Sequence, residues 1–196
     1  AHVNGHRITI LGGGSNVLVS DDGVKGLVIH IGLLGRSYKE EGDTVYATFG
    51  AGEVFDEVIE ETVVKGFCGL ENLSAIPGYV GATPIQNVGA YGIEIGDVVY
   101  GVEVYDTELE TFTMFDNASC AFGYRDSFFK TEKGKKYVVV GVTYRLTTVH
   151  RPYLEYKDLK ERFINDDPSL TEVREAVIEI LKNKFPYLHE FGTAGS

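Results

Sequence analysis

The sequence comprises 196 residues with a formal net charge of −11, and 43% of the residues are hydrophobic. A chain of this length can form one substantial core or two smaller units that share an interface. The acidic balance argues against sequence-independent binding to nucleic acid, which needs a basic surface. No apolar stretch approaches the roughly 20 residues of a membrane span, so the sequence predicts no membrane partner.

The cysteines and histidines predict neither a disulfide framework nor a metal site. Cys68 and Cys120 are too few for a disulfide scaffold and lack a C-x-x-C spacing, and the 5 histidines show no metal-ligand spacing. Reduced thiols in a cytoplasmic protein are therefore the expectation.

Strand-like patterns rich in β-branched residues dominate the first part of the chain and return in its second half. They cover residues 7–11, 16–20, 27–31, 44–49, 98–105, 111–115 and 137–146. Two helices are also predicted. One covers residues 53–66 with an apolar stripe, and the other begins at a capping box formed by Ser169 and Glu172 and reaches Lys184. These elements predict an α+β fold with mixed sheets and few helices.

Three consecutive glycines, residues 12–14, separate the first two strand-like runs. A Rossmann glycine loop leads into a helix, whereas these glycines lead into the strand-like residues 16–20. Two interpretations remain open: a tight connection, or a cradle whose backbone amides face one anion. In the second interpretation, Ser15 and Asn16 would add a hydroxyl and an amide donor.

Residues 76–92, IPGYVGATPIQNVGAYG, combine glycine and proline interruptions with an apolar composition. Apolar loops of this kind are often binding loops. Thr83, Gln86 and Asn87 add polar groups, and such a surface suits a planar, amphipathic cofactor with one polar edge. A buried structural loop is the alternative.

Two further segments contain candidate site residues with two interpretations each. In FGYRDSFFK, residues 122–130, Arg125 either forms a salt bridge with Asp126 or lies partly desolvated among aromatic side chains. A desolvated, fixed cation would stabilise developing negative charge. In PYLEYKDL, residues 152–159, Tyr156 either packs as an aromatic residue or donates a hydrogen bond to a ligand.

Together, these segments resemble the UDP-N-acetylenolpyruvoylglucosamine reductase family, also called UDP-N-acetylmuramate dehydrogenases. The segments ILGGGSNVLVSDDGVKGLVI, GLENLSAIPGYVGATPIQNVGAYGIEIGDV and FGYRDSFFK follow the family's order, and PYLEYKDL is similar to its branch with a tyrosine-containing substrate loop. The resemblance implies an FAD-binding domain of the vanillyl-alcohol-oxidase/PCMH type. Residues 1–35 would be the remainder of a first FAD-binding subdomain, residues 36–185 a second one, and residues 186–196 the beginning of a substrate domain.

The resemblance further implies a cytoplasmic, monomeric, NADPH-dependent flavoenzyme of peptidoglycan precursor synthesis, and hence a role in cell shape and division. Its substrate would be a UDP-linked enolpyruvyl sugar. Arg125 would stabilise an enolate-like intermediate and Ser196 would donate the final proton. Tyr124, Tyr156 and Lys184 would bind the substrate. The implied FAD-binding residues are Gly12, Gly13, Gly14, Ser15, Asn16, Pro77, Gly78, Gly81, Thr83, Gln86, Asn87, Gly89 and Ala90.

The sequence departs from the family pattern at several positions. Leu181 stands where the family often has arginine, and FPYL at residues 185–188 replaces its usual Leu-Pro-Asp-Pro. The family also has sequence before the first subdomain strand and beyond the serine that matches Ser196. A central fragment is therefore the expectation, and the alternative function is a catalytically incomplete FAD- or nucleotide-binding module.

Overall fold

The computed structural model describes residue 5 and residues 7–164 and 166–184. Its strands are β1 (Ile8–Leu11), β2 (Leu27–His30), β3 (Arg36–Glu41), β4 (Thr44–Gly50), β5 (Gly89–Ala90), β6 (Ile93–Glu94), β7 (Val99–Asp106), β8 (Thr111–Asp116) and β9 (Tyr137–Thr147). Its helices are α1 (Phe55–Val64), α2 (Thr83–Gln86), α3 (Ile95–Val98), α4 (Lys157–Arg162) and α5 (Leu170–Lys184). The predicted α+β class is confirmed.

A five-stranded antiparallel sheet with the strand order β3-β4-β9-β7-β8 forms the centre of the fold. β4 alternates strictly, so Val45, Ala47 and Phe49 are fully buried while the residues between them lie on the other face. In β9, Val142 and Tyr144 are fully buried opposite them. This period of two sets the register, because a slip by one residue would expose the whole apolar set.

Helix α1 covers the buried face of the sheet with the apolar stripe that the sequence predicted. Val58 and Ile59 are buried, and the ring of Phe55 lies 6.4 Å from that of Tyr144 on β9. The helix ends before Gly66, whose φ of 75° is the left-handed conformation that terminates many helices. The predicted first helix is thus confirmed.

β1 and β2 form a separate parallel pair, in which Leu11 lies opposite His30. Residues 16–20, predicted as a strand, pair with no strand within the part of the chain that the structure describes. That prediction is wrong, because a strand needs a hydrogen-bonded neighbour as well as β-branched residues. Val17 and Leu18 are exposed instead.

The sequence patterns missed β3 and α4 for two different reasons. β3 reads RSYKEE and is mostly exposed, because it is an edge strand that pairs only with β4. Charged edge strands are common, since charge discourages pairing with other chains. Helix α4 has only 6 residues, which is too short for a helical period to be recognised.

The second predicted helix is confirmed as α5, together with its capping box. Ser169 N donates to Glu172 Oε2 at 2.9 Å, and Glu172 N donates to Ser169 Oγ at 3.3 Å. This reciprocal pair satisfies two amides that a helix N-terminus would otherwise leave without partners. Across the described ranges, no helix has both the length and the apolar character needed to cross a membrane.

The segment between β2 and β3 joins the parallel pair to the sheet. Gly50 N donates to Gly35 O at 2.8 Å. The carboxylate of Glu53, only 7% exposed, accepts hydrogen bonds from Gly35 N and Arg36 Nε, each at 2.8 Å. Burial works to raise the pKa of Glu53, but the bonds from Arg36 and Gly35 outweigh it and hold that pKa below its usual value. Glu53 therefore stays ionised and holds this segment against the sheet.

The predicted division into subdomains, residues 1–35 and 36–185, stays a prediction. The parallel pair and the five-stranded sheet fall on either side of that boundary. The third predicted unit, residues 186–196, lies outside the described residues.

We expect Val58→Ala to lower the free energy of unfolding by roughly 2 kcal/mol, because it removes two methyl groups from a fully buried site and leaves a cavity. Val64→Ala on the same helix is the matched control, since Val64 is 79% exposed and alanine has the higher helix propensity. Urea unfolding followed by circular dichroism measures both. Equal losses for the two variants would contradict the packing of α1 described above.

Candidate functional site

The triple-glycine loop lies directly against the start of residues 76–92, the second segment predicted to bind the cofactor. Residues 76–92 are called the cofactor segment below. Ser15 Oγ donates to Pro77 O at 3.2 Å. A Cβ atom on Gly13 would lie 3.2 Å from Tyr79 Cδ1 and 3.3 Å from Gly78 Cα, so the absence of a side chain permits this approach. Two segments separated by some sixty residues, both predicted to bind the cofactor, are thus brought together.

The backbone amides of this loop are available to a ligand. Within the described residues, none of the amides of residues 12–16 has a hydrogen-bond acceptor, and most of these residues are exposed. A Cβ atom on Gly12 or Gly14 would meet nothing within 4 Å, and Gly14 has a φ of 70°. Consecutive free amides next to open space suit an anionic group such as a pyrophosphate. The loop therefore fits the phosphates of a dinucleotide cofactor.

Gly81 serves packing instead of leaving space. A Cβ atom there would lie 2.6 Å from Ala51 Cβ, and Gly81 N donates to Ala51 O at 2.9 Å. The neighbouring amide of Val80 donates to Glu53 O at 2.9 Å. Close backbone approach at Gly81 thus holds the predicted cofactor segment against the end of β4.

Thr83 and Gln86, on α2, make contacts within the protein. Thr83 is 2% exposed, and its hydroxyl lies 2.7 Å from Tyr144 Oη and donates to Val80 O at 2.8 Å. The hydroxyl therefore bridges the cofactor segment to β9. Gln86 Oε1 accepts a hydrogen bond from Lys130 Nζ at 2.9 Å. The predicted cofactor contacts of both residues stay predictions.

Asn87 joins three chain segments. Its φ of 43° ends α2 in the left-handed conformation that asparagine tolerates. Its side chain accepts from Gly96 N and donates to Glu94 Oε2 and Gly123 O, each at 2.8 Å. Because Gly123 begins the turn that contains Arg125, Asn87 fixes the position of that turn.

Arg125 lies in this turn and reaches the cofactor segment. Its φ of 52° is unusual for a residue with a side chain, and its Nη2 donates to Gly89 O at 2.8 Å. The carboxylate of Asp126 accepts from Ser127 N instead, and within the described ranges Arg125 forms no ion pair. The interpretation of an Arg125–Asp126 salt bridge is therefore wrong. The ring of Tyr124 lies 5.3 Å from the Arg125 guanidinium carbon.

Lys130, which the sequence reasoning did not single out, donates hydrogen bonds that hold the turn of Arg125 in place. Its Nζ donates to Arg125 O at 2.7 Å and to Gln86 Oε1 at 2.9 Å. Ser127 Oγ, from a buried residue, donates to Ile85 O at 2.8 Å. These bonds connect residues 122–130 to α2, so two segments that the sequence singled out lie in contact.

The side chains of Tyr156 and Lys184 both pack against the ring of Tyr91. The Tyr91 ring centre lies 5.2 Å from that of Tyr156 and 5.6 Å from Lys184 Nζ. Tyr91 and Gly92 form the turn between β5 and β6, so Ala90 on β5 immediately precedes this cluster. Two of the three predicted substrate-binding residues are thus neighbours in space, although neither sequence separation nor pattern indicates it.

Lys184 forms an ion pair with Asp158 on α4, whose Oδ2 accepts a hydrogen bond from Lys184 Nζ at 2.5 Å. That bond raises the pKa of Lys184 above its usual value. Tyr156 is 40% exposed and the Lys184 side chain is 46% exposed, so solvent reaches both residues.

Sequence reasoning also missed Tyr79 and His30 beside the glycine loop. Their ring centres are 5.6 Å apart. Tyr79 lies inside a segment already singled out, between Gly78 and Gly81, and this position was a usable signal. No sequence signal pointed to His30, because only the parallel pairing of β1 and β2 places it opposite Leu11, the residue before the glycines.

Ser196, the predicted proton donor, lies outside the described residues, and its role stays a prediction. Among those described, no group of three or more histidine, cysteine or acidic residues is arranged to hold a metal ion. Cys68 and Cys120 are both buried and unbridged, and burial raises the pKa of each thiol to about 12. Both thiols are therefore protonated and unreactive at neutral pH.

Comparison with known proteins shows what the chain is similar to. Residues 1–113 match the family model described as an FAD binding domain. The UDP-N-acetylenolpyruvoylglucosamine reductase of Flavobacterium johnsoniae is 41% identical over 192 residues, which cover 95% of this chain and 57% of that protein. The enzyme of the same name from Pseudomonas putida is 39% identical over 202 residues, covering 100% of this chain and 58% of that protein.

A solved structure agrees with these relatives. The crystal structure of UDP-N-acetylenolpyruvylglucosamine reductase from Thermus caldophilus superposes with a TM-score of 0.65 at 25% identity, covering 92% of this chain and 58% of that one. The family resemblance predicted from the sequence segments is confirmed. The chain spans little more than half the length of the curated relatives it matches.

We expect Asn87→Ala to lower the free energy of unfolding by roughly 2–4 kcal/mol, because it removes three hydrogen bonds and places alanine in a left-handed conformation. Asn16→Ala is the matched control, since Asn16 is an exposed asparagine in the glycine loop, and its effect should stay within about 0.5 kcal/mol. Urea unfolding of both variants is the measurement. A loss of stability for Asn16→Ala as large as that for Asn87→Ala would show that the three hydrogen bonds of Asn87 contribute no special stability.

Proposed function

Because the chain belongs to the FAD-binding domain family, we propose that it binds FAD and acts in the reduction of a UDP-linked enolpyruvyl sugar. The chain would contribute the cofactor cradle and part of the substrate site. NADPH would be the hydride donor, and the product, a UDP-N-acetylmuramate, would serve peptidoglycan precursor synthesis in the cytoplasm, and through it cell shape and division. A monomer suffices for this proposal, since the cofactor segments come together within one chain.

The observation that carries the proposal is the meeting of the glycine loop with residues 77–79. The free amides of residues 12–16 supply donors for an anion, and Ser15 is tied to Pro77 O. FAD has a pyrophosphate between two aromatic ends, so it needs an anion cradle next to an apolar surface. The free amides of the loop and the neighbouring rings of Tyr79 and His30 support this assignment. The net charge of −11 makes such local donors necessary, because the overall field repels an anion.

Residues 86–90 and the turn of Arg125 would lie beside the reacting groups. Bound FAD supplies hydride transfer from NADPH to the carbon–carbon double bond of the substrate. Arg125, held at Gly89 O by its Nη2, keeps its other guanidinium donors for the substrate carboxylate. A cation held in advance stabilises the negative charge that develops on that carboxylate without reorganising during the reaction.

Tyr124, Tyr156 and Lys184 would bind the substrate outside the reacting centre. The ion pair with Asp158 raises the pKa of Lys184 above its usual value, and the Lys184 ammonium group would act as a point charge for a diphosphate. The Tyr156 hydroxyl would add a hydrogen bond. Ser196, which lies outside the described residues, is proposed as the proton donor by similarity to the family.

The visible absorption spectrum of the purified chain, recorded before and after adding FAD and removing the excess, tests the proposal. A retained flavin band that NADPH bleaches and the enolpyruvyl UDP-sugar restores is the expected result. A flavin band that is retained without cycling would reduce the function to an FAD-binding module. A spectrum without flavin would overturn the proposal for this chain.

We expect Gly13→Val to weaken FAD binding by about 100-fold or more, because the new side chain would displace Tyr79 and Gly78 and block two or more amide–phosphate hydrogen bonds. Gly32→Val is the control, since a Cβ atom on Gly32 meets nothing within 4 Å and Gly32 lies outside the cradle. Flavin fluorescence titration measures both affinities. Unchanged affinity in Gly13→Val would show that the loop is only a tight connection.

We expect Arg125→Lys to slow the oxidation of the reduced flavin by the UDP-sugar roughly 100-fold while FAD affinity stays within about threefold. Lysine keeps the charge but cannot bond Gly89 O and the substrate carboxylate as a planar fork. Stopped-flow absorbance gives the rate and fluorescence titration the affinity. An unchanged rate would remove Arg125 from the proposed machinery and leave it the role of holding Gly89.

A further inference from the structure

Asp56, in the first turn of α1, makes three charge-assisted hydrogen bonds. Its Oδ1 accepts from Arg174 Nη1 at 2.6 Å, and its Oδ2 accepts from Arg174 Nη2 at 2.9 Å. Oδ1 also accepts from Ala75 N at 2.6 Å. Ala75 and Arg174, the two residues that Asp56 joins, are almost a hundred positions apart in the sequence and lie on segments that lead to different parts of the proposed site.

Each bond leads to one half of that site. Ala75 has a φ of 61° and comes two residues before Pro77, where the cofactor segment meets the glycine loop. Arg174 lies on α5, and the last residue of α5 is Lys184, which lies beside Tyr91 and Asp158. Asp56 is therefore a direct connection between the helix that carries Lys184 and the start of the cofactor segment.

The bidentate pair is better shielded than a typical surface ion pair. The Arg174 side chain is 11% exposed and that of Asp56 is 33% exposed. Arg162 and Glu179, which join α4 to α5, are 45% and 54% exposed and share a single contact. Planar, bidentate pairs fix geometry as well as adding energy, whereas exposed single contacts contribute little.

We propose that Asp56 is a positioning residue that couples the placement of α5 to the conformation of residues 75–79. A displacement of Arg174 turns the carboxylate, and the carboxylate carries the Ala75 amide with it. Occupation of the Lys184 end and occupation of the glycine-loop end then favour the same arrangement, so each ligand strengthens binding of the other. The identity of the two ligands, a UDP group and FAD, rests on the proposed function.

Hydrogen exchange of the ligand-free chain tests the connection without any cofactor. In Asp56→Asn, we expect the peptides that contain residues 75–79 to exchange about tenfold faster or more, because a charge-assisted hydrogen bond is lost. Arg174→Lys should also accelerate these peptides, by about threefold or more, although within the described residues Arg174 forms its hydrogen bonds and ion pairs with α1 and not with residues 75–79. Glu179→Gln, which removes the exposed α4–α5 pair, is the matched control and should leave residues 75–79 unchanged.

A binding measurement tests the consequence for ligands. Titration of UDP with and without FAD gives the factor by which FAD strengthens UDP binding. That factor should exceed about threefold in the unaltered chain and in Glu179→Gln, and fall to about one in Asp56→Asn and Arg174→Lys. A purely structural role would lower stability without changing this factor.

The outcomes separate the two proposals. If Arg174→Lys matches Glu179→Gln in exchange and in the coupling factor, the positioning role is overturned, and this variant decides even if Asp56→Asn does not fold. If the unaltered chain binds no FAD, the proposed function fails. The exchange rates of residues 75–79 in Arg174→Lys still decide whether Asp56 couples α5 to that segment.

Discussion

The fold depends on the close backbone approach of three segments around residues 50–53, which form the turn that follows β4. Ala51 N donates to Val140 O, Gly50 N to Gly35 O, and Ala51 O accepts from Gly81 N. A Cβ atom on Gly50 would lie 2.4 Å from Leu33 O. Only glycine permits this crossing, and it brings the parallel pair, the sheet and the cofactor segment together at one point.

The glycines of the chain therefore serve two purposes that their sequence context does not distinguish. Gly50 and Gly81 remove side chains so that the protein can pack against itself, whereas Gly12 and Gly14 face open space beside free amides. The first kind places the cofactor segment, and the second leaves room for a ligand. A binding site for an anion in a protein of net charge −11 needs both, because the donors must be local and accurately placed.

Much of the fold could be predicted from local patterns. Runs rich in β-branched residues identified β4 and β9, a helical stripe identified α1, and a capping box identified the start of α5. These features are encoded within a few residues of one another. Residues 16–20 were predicted wrongly and β3 was missed, because the first depends on a pairing partner and the second on its place at the sheet edge. Pairing and edge position are properties of the assembled sheet.

The sequence by itself determined the α+β class, the family and the segments that form the candidate site, since these are carried by composition, periodicity and contiguous motifs. The tertiary structure alone decided how single residues act. It turned Arg125 toward Gly89 O instead of Asp126, placed the Thr83 hydroxyl against Tyr144, and joined Arg174 to Ala75 through Asp56. The physical reason is that hydrogen bonds select partners by distance and direction in space, which sequence separation does not encode.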